Sequence, residues 1–249
     1  MWKFIKIIVV IFSVCFVYIL GAHGYKSKWF PFGAGHFTYL KSLVATEKQY
    51  DDSYQAKRCF NYVTHFQFYQ EAAKKGVRID KLIVGDSLVS GFILHNLHDV
   101  SYKRMALSGN IIECMPLLTE SITSLKPSKV LLYIGGNDTD GQGRQTMEEA
   151  AKTYASSVDT LIKSGIKVII HGIHFGSGHR GRVFDKVEKL NANLESIAKK
   201  RNLLYIPPVP AFNFWETGVD TRYSNDGEHL IFSGYEKWIS HIRVHLPDF

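Results

Sequence analysis

The chain has 249 residues, 45% of them hydrophobic, and a formal net charge of +7, which fits one globular α/β domain with a core of normal size. No dense block of lysine and arginine with interleaved aromatic residues is present, so we expect no nucleic-acid partner. The three cysteines form no Cys-x-x-Cys pair, which argues against a structural zinc site. Outside the first 24 residues, Cys59 and Cys114 could pair in an oxidising compartment or remain two buried thiols.

The N-terminal segment has the pattern of an export leader. Lys3 and Lys6 flank the start of an apolar run over residues 7–20, and small residues follow at 22–24. We interpret residues 1–24 as a cleaved signal peptide or an uncleaved membrane anchor. A buried helix of a cytosolic protein is the weaker alternative, because the run has no polar face. Both main interpretations place the domain outside the cytoplasmic membrane, in the periplasm or the extracellular space, with membrane contact through this segment if it is retained.

Past the leader, residues 25–79 are predicted to pack on the domain as an approach segment, with a helix from Cys59 to Lys75 that Gly76 ends. Over residues 80–249, short apolar runs alternate with helical patterns, which predicts an α/β fold, a three-layer α/β/α sandwich with a central parallel sheet of about five strands. The predicted strands are Leu82–Val84, Met105–Leu107, Val130–Ile134, Ile166–Ile170 and Leu203–Ile206. The predicted helices are Ser90–Leu97, Ile112–Leu125, Thr146–Ser164, Val183–Arg201 and Phe232–His245.

Polar motifs stand after three of these strands and before the last helix. Gly85-Asp86-Ser87 follows the first strand, with Gly85 expected to allow a sharp turn, and Ser108-Gly109-Asn110 follows the second. Gly135-Gly136-Asn137-Asp138 follows the third, and Asp226 and His229 precede the last helix. Ligands bind at the carboxyl ends of strands in open α/β sheets. The sequence therefore predicts that these groups meet in one site.

Serine, histidine and aspartate in one site favour nucleophilic catalysis. A serine hydroxyl needs an adjacent base to become a good nucleophile. We predict that His229 takes the proton of Ser87, and that Asp226 holds the imidazole in the required tautomer. The plainer interpretation is that Ser87 only caps the following helix and that Asn137 and Asp138 form an ordinary turn.

Other side chains in the sequence have less specific patterns. His171, His174 and His179 are close in sequence, but no carboxylate is spaced to complete a metal site, so we expect no metal and no cofactor. Arg180 and Arg182 could receive an anionic substrate, although surface charge is the commoner explanation. Three aromatic side chains could line an acyl or sugar pocket or could simply belong to the core: Phe212, Phe214 and Trp215.

Four sequence blocks resemble the SGNH hydrolases, also called the GDSL esterase and lipase family. They are Val84-Gly85-Asp86-Ser87-Leu88, Ala106-Leu107-Ser108-Gly109-Asn110, Gly135-Gly136-Asn137-Asp138 and Asp226-Gly227-Glu228-His229-Leu230. The resemblance extends from about residue 80 to the C-terminus and implies a flavodoxin-like sheet. It also implies a catalytic set of Ser87, Asp226 and His229. The oxyanion hole it implies is built from the backbone N–H groups of Ser87 and Gly109 and from the side chain of Asn137.

The same resemblance implies a serine ester hydrolase that acts through an acyl-serine intermediate. For a basic, exported chain we favour removal of acetyl or short acyl groups from a carbohydrate or another cell-envelope substrate. A lipid esterase or lipase, or an acyltransferase of the same fold, remains an alternative. So does a non-catalytic glycan-binding module. The sequence leaves the oligomeric state open.

Overall fold

The computed structural model of the chain describes residues 59, 71, 74–76, 79–94, 101–174, 184–212 and 219–249. All of them belong to the unit Asp51–Phe249. The predicted leader (1–24), the approach segment as far as residue 58, and five candidate side chains lie outside the described residues: His179, Arg180, Arg182, Phe214 and Trp215. Among the helices that are described, none has both the length and the hydropathy required to cross a bilayer.

Five parallel strands form the sheet, in the spatial order β2-β1-β3-β4-β5. They are β1 (Lys81–Gly85), β2 (Lys103–Ala106), β3 (Lys129–Tyr133), β4 (Lys167–His171) and β5 (Leu204–Ile206). The central strand β3 pairs with β1 on one side and with β4 on the other. Its residues from Val130 to Tyr133 are fully buried, as expected for a continuous apolar run covered on both faces. The predicted fold class is confirmed, and each predicted strand is present with its ends shifted by at most two residues.

The described helices follow the predicted order. They are α1 (Ser87–Leu94), α2 (Met115–Leu125), α3 (Gly136–Thr139), α4 (Met147–Lys163), α5 (Phe184–Lys200) and α6 (Phe232–His245), with 3₁₀ turns at Ile112–Cys114 and Pro210–Phe212. Two predictions need correction: α1 begins three residues before Ser90, and α3 was not predicted. Helix α4 begins as its sequence suggests, because Thr146 and Glu149 form a reciprocal capping box.

The connections between the strands place helices on both faces of the sheet. Crossovers between parallel strands are right-handed, so α1 lies on one face and α2, α4 and α5 lie on the other. Helix α6 shares the face of α1, where the rings of Phe92 and Trp238 pack with centroids 5.0 Å apart. On the opposite face a bidentate ion pair from Arg201 to Asp159 links the end of α5 to α4. The buried side chains between these layers form one continuous core.

A disulfide joins Cys59 to Cys114, with a Cα–Cα distance of 5.3 Å. The pairing decides between the two alternatives that the sequence left open. Cys59, Glu71 and Lys74 are helical, as predicted for the Cys59–Lys75 segment, and Gly76 has the left-handed φ of +82° expected at a helix end. Cys114 lies just after the second polar motif. The disulfide therefore attaches Cys59 to the part of the domain that carries this motif.

The order of the strands determines where a site can form. The chain leaves β1 to build β2 on one side and then returns to build β3 on the other side. Such a reversal opens a crevice at the carboxyl ends of β1 and β3. Ser87 follows β1, Gly109 follows β2 and Asn137 follows β3, so all three flank that crevice.

Candidate active site

Ser87 is the first residue of α1, two residues after the end of β1. The preceding Asp86 is buried, and its Oδ1 accepts a hydrogen bond of 3.0 Å from the backbone N–H of Leu88. This is the bond of a helix N-cap. Asp86 therefore caps α1, and the interpretation of Ser87 as the cap is wrong. The hydroxyl of Ser87 contacts His229 instead.

Gly85 is required for close packing and not for the sharp turn we expected. Its φ lies outside the left-handed region. A Cβ at this position would lie 2.2 Å from Cγ2 of Val89 and 2.8 Å from the carbonyl oxygen of Tyr133. The first turn of α1 can pack this closely on the end of β1, beside its pairing with β3, only because residue 85 has no side chain. This approach places Ser87 at the crevice.

The loop between β5 and α6 holds Asp226 and His229 in a fixed arrangement. Its two sides are joined by the bridge between Ser224 and Leu230 and by a 3.0 Å hydrogen bond from the Val219 N–H to the Gly227 carbonyl. Oδ1 of Asp226 accepts three hydrogen bonds, from the Ser224 hydroxyl (3.1 Å) and from the backbone N–H groups of Glu228 (2.9 Å) and His229 (2.7 Å). The carboxylate therefore has one oxygen bound to its own loop, and Oδ2 is directed at the imidazole.

A continuous chain of hydrogen bonds joins the three predicted catalytic side chains. Nδ1 of His229 lies 2.7 Å from Oδ2 of Asp226, and Nε2 lies 3.1 Å from Oγ of Ser87. Partial burial raises the pKa of Asp226, but the hydrogen bonds from His229 and Glu228 outweigh it and hold the pKa at about 2. The carboxylate is thus ionised at neutral pH and can only accept. Nδ1 must carry the proton, which leaves the Nε2 lone pair facing the serine hydroxyl.

The loop after β2 carries the predicted second oxyanion donor. Gly109 has a φ of +78°, in the left-handed region that favours glycine. The loop is attached to the end of β1 by two hydrogen bonds to the Gly85 carbonyl, one from the Leu107 N–H (3.3 Å) and one from the Asn110 side-chain amide (3.2 Å). The backbone around Gly109 is therefore fixed relative to Ser87.

Asn137, the predicted third donor, is buried at the start of α3. Its Nδ2 donates to the carbonyl of Asn110 at 2.9 Å, and its Oδ1 accepts from Nε2 of Gln142 at 3.1 Å. An amide NH₂ has two protons, so a second N–H remains to stabilise a substrate oxygen. The next residue, Asp138, accepts the Ile112 N–H through both carboxylate oxygens, at 3.2 and 3.0 Å. The third motif is thus hydrogen-bonded to the second motif at Asn110 and to the chain two residues beyond it at Ile112.

Sequence reasoning missed three polar residues that orient this site: Ser224, Asn110 through its side chain, and Gln142. The side chain of each makes one hydrogen bond to a residue of a motif. Asn110 lies inside a motif, but nothing in the sequence indicates its side-chain partner. Ser224 and Gln142 stand outside the motifs and have no pattern that could have identified them.

His171 and His174 are core residues. Nε2 of His171 accepts from the indole N–H of Trp238 at 2.9 Å, and its Nδ1 donates to the Gly172 carbonyl at 2.7 Å. Nδ1 of His174 accepts from the Val209 N–H at 3.3 Å. In the described part of the chain, no three histidine, cysteine, aspartate or glutamate side chains are placed to bind a metal ion. Phe212 is also buried, and it packs on His174 with ring centroids 5.0 Å apart.

Several solved structures are similar to this chain at low sequence identity. A GDSL-like lipase from Bacteroides thetaiotaomicron matches with a TM-score of 0.66 and 19% identity, over 75% of this chain and 98% of the lipase. A lipase/acylhydrolase from Enterococcus faecalis matches with a TM-score of 0.55 and 20% identity, over 66% of this chain and 93% of its own. This chain has the SGNH-hydrolase fold.

A third similar structure is a catalytic mutant of an acetylxylan esterase from Geobacillus stearothermophilus. It has a TM-score of 0.53 and 16% identity, over 68% of this chain and 96% of the esterase. No protein-family model and no curated protein matches the sequence. At these identities the similarity establishes the fold, and the chemistry of the site has to be argued from its own residues.

Proposed function

We propose that this protein is a serine ester hydrolase that acts through an acyl-serine intermediate. The observation that carries the proposal is the continuous hydrogen-bonded chain from Asp226 through His229 to Ser87. A carboxylate, an imidazole and a hydroxyl, hydrogen-bonded in this order, form the arrangement that activates a serine nucleophile. The SGNH-hydrolase fold supports the same chemistry.

In the first half of the reaction, Ser87 Oγ attacks the ester carbonyl and its proton moves to Nε2 of His229. Asp226 stabilises the imidazolium that forms, because its carboxylate is ionised and bound to Nδ1–H. The carbonyl oxygen becomes an oxyanion, which accepts from the N–H groups of Ser87 and Gly109 and from the free amide proton of Asn137. When the tetrahedral intermediate collapses, the leaving alcohol takes the proton from Nε2, and the acyl group remains on Ser87.

In the second half, water replaces the alcohol. His229 removes a proton from the water as it attacks the acyl carbonyl, and the same donors stabilise the second oxyanion. Collapse releases the carboxylic acid and returns the proton to Oγ of Ser87. The side chain of His229 is 49% exposed and that of Asp226 is 39% exposed. This exposure supports water as the acceptor over a transferase, whose acyl-enzyme needs a dry site.

The proposed substrate is a carbohydrate or another cell-envelope component that carries acetyl or short acyl groups. Two observations support this choice. The exposed acid–base pair suits a substrate too large to enter a deep pocket, and an acetylxylan esterase is among the similar structures. A lipid ester is the second candidate, because two lipases are also among them.

We also propose that the domain works outside the cytoplasmic membrane, held there by residues 1–24 or released after their removal. The disulfide between Cys59 and Cys114 supports this location, because such bonds persist in oxidising compartments and are rare in the cytosol.

The test is hydrolysis by the purified protein of p-nitrophenyl esters of increasing chain length and of acetylated xylan, with and without acceptor sugars. Preference for acetyl esters supports the carbohydrate esterase, preference for long chains supports the lipid esterase, and acylated sugar products support a transferase. A fluorophosphonate probe should label the wild type and not Ser87→Ala. Ser90→Ala is the matched control, because Ser90 donates to the Asp86 carbonyl within the same helix. A folded wild type that neither hydrolyses esters nor takes the label would indicate a glycan-binding module.

A further inference from the structure

Gln142 lies in the loop after α3 and contacts the side chain of Asn137. Its Nε2 donates to Oδ1 of Asn137 at 3.1 Å, and its backbone N–H donates to the carbonyl of the same residue, also at 3.1 Å. Residue 142 thus holds both the backbone and the amide of Asn137. Neither contact involves Ser87, Asp226 or His229.

The orientation of the Asn137 amide decides whether this residue can stabilise an oxyanion. Turning an amide by 180° exchanges its NH₂ for its oxygen with little change in shape, so its hydrogen-bond partners must specify one orientation. The carbonyl of Asn110 can only accept, and it lies 2.9 Å from Nδ2. On the other side, Nε2 of Gln142 can only donate, and it faces Oδ1. Reversal would place an oxygen against a carbonyl and an NH₂ against an NH₂.

Gln142 has an amide of its own that must also be oriented. Its Nε2 donates to Oδ2 of Asp140 at 2.8 Å, and its backbone N–H donates to Oδ1 of Asp140 at 3.1 Å. An ionised carboxylate can only accept, so the NH₂ of Gln142 must lie on the side of Asp140 and Asn137. Asp140 therefore fixes the orientation of the Gln142 amide, and Gln142 in turn fixes the orientation of the Asn137 amide.

We propose that Gln142 is a positioning residue for ester hydrolysis, which holds the Asn137 amide with its second N–H directed at the oxyanion. The inference rests on the proposed function. Asn137 touches the reacting oxygen, and Gln142 acts through Asn137. Loss of Gln142 therefore affects the transition state, where the oxyanion forms, more than it affects the binding of the ester.

The experiment compares Gln142→Ala and Gln142→Met, which retains most of the volume without an N–H, by steady-state kinetics. Loss of one neutral hydrogen bond should lower kcat by about 3- to 10-fold in both variants and leave KM within about twofold. In an Asn137→Ala background, Gln142→Met should change kcat by less than about twofold, because the group it orients is gone. Gln145→Ala is the matched control, since Gln145 donates to Thr153 and not to the site.

Each outcome bears on one of the two proposals. If the wild type hydrolyses esters and Asn137→Ala hydrolyses them more slowly, the proposed function is supported whatever the Gln142 variants do. An unchanged kcat in both variants, a change in KM alone, or full additivity with Asn137→Ala would overturn the role of Gln142. Loss of the folded state in both variants, measured by thermal unfolding, would also overturn it in favour of a purely structural role.

Discussion

Replacing Asp226 by asparagine should abolish most activity, because the loop dictates which way the new amide faces. Oδ1 of Asp226 receives the Ser224 hydroxyl and the backbone N–H groups of Glu228 and His229. In Asp226→Asn the amide oxygen must occupy this position. The NH₂ then occupies the position of Oδ2 and faces Nδ1 of His229, where the wild type has an acceptor at 2.7 Å.

The size of the effect follows from the alternative orientation. Reversing the amide would direct its NH₂ at two backbone N–H groups, and each would lose a hydrogen bond worth about 0.5–1.5 kcal/mol. The total of about 1–3 kcal/mol keeps the amide in the harmful orientation. His229 must then accept at Nδ1 and carry its proton on Nε2, so that it faces Ser87 as a donor and cannot act as a base. We expect kcat to fall by about 10²- to 10⁴-fold with little change in KM.

The assay is steady-state hydrolysis of a p-nitrophenyl ester at pH 7, with Asp248→Asn as the matched control. Oδ2 of Asp248 is bound by Lys129 at 2.6 Å and by Lys81 at 2.8 Å. The two lysines are the first residues of β3 and β1, so this ion pair lies at the N-terminal ends of the strands, opposite the end that carries Ser87. The control should lose some stability and retain the wild-type kcat. If kcat of folded Asp226→Asn stays within about tenfold of the wild type, the tautomer argument is refuted.

Three further predictions concern the oxyanion donor, the buried histidine and the disulfide. Asn137→Ala should lower kcat by about 10²- to 10³-fold with KM nearly constant, measured in the same assay. Burial lowers the pKa of His171 to about 3 from 6.5, so between these values only the unfolded chain binds the proton. Urea unfolding should show that the free energy of unfolding falls as the pH is lowered through that window, by at most about 1.4 kcal/mol per pH unit. His171→Gln should flatten this slope. Cys114→Ser opens a loop closed across 55 residues and should lower the free energy of unfolding by up to about 4 kcal/mol, whereas an unchanged midpoint would count against the bond.

The strands and most helices could be predicted because their signals are local. Buried parallel strands are continuous apolar runs, and β3 is apolar over its whole interior. Helix ends are marked by residues such as Thr146 and Gly165, which cap or terminate without help from the rest of the fold. The predicted start of α1 was three residues late, because the capping residue Asp86 lies inside the Gly85-Asp86-Ser87 motif and was not recognised as a helix cap.

The arrangement of the site was only partly predictable. The resemblance to a family of known geometry brought Ser87 together with His229 across 142 positions of sequence, and the structure places them 3.1 Å apart. The disulfide could not be foreseen, because the approach of Cys59 to Cys114 depends on tertiary packing. Ser224 and Gln142 were missed for a related reason. Each matters through a side-chain hydrogen bond whose partner is fixed only in the folded chain.

The two halves of the site are held by different means. The oxyanion side is attached to the sheet, because Asn110 donates to the Gly85 carbonyl at the end of β1 and Asn137 donates to the Asn110 carbonyl. The acid–base side is a self-contained loop in which Asp226 binds the backbone of His229 as well as its ring. Ser87, at the end of the strand where the topology reverses, is the one residue that both halves must meet. The proposed oxyanion hole can therefore be rigid while the proposed base is exposed, and variation in the exposed loop can change access to the serine without disturbing the donors.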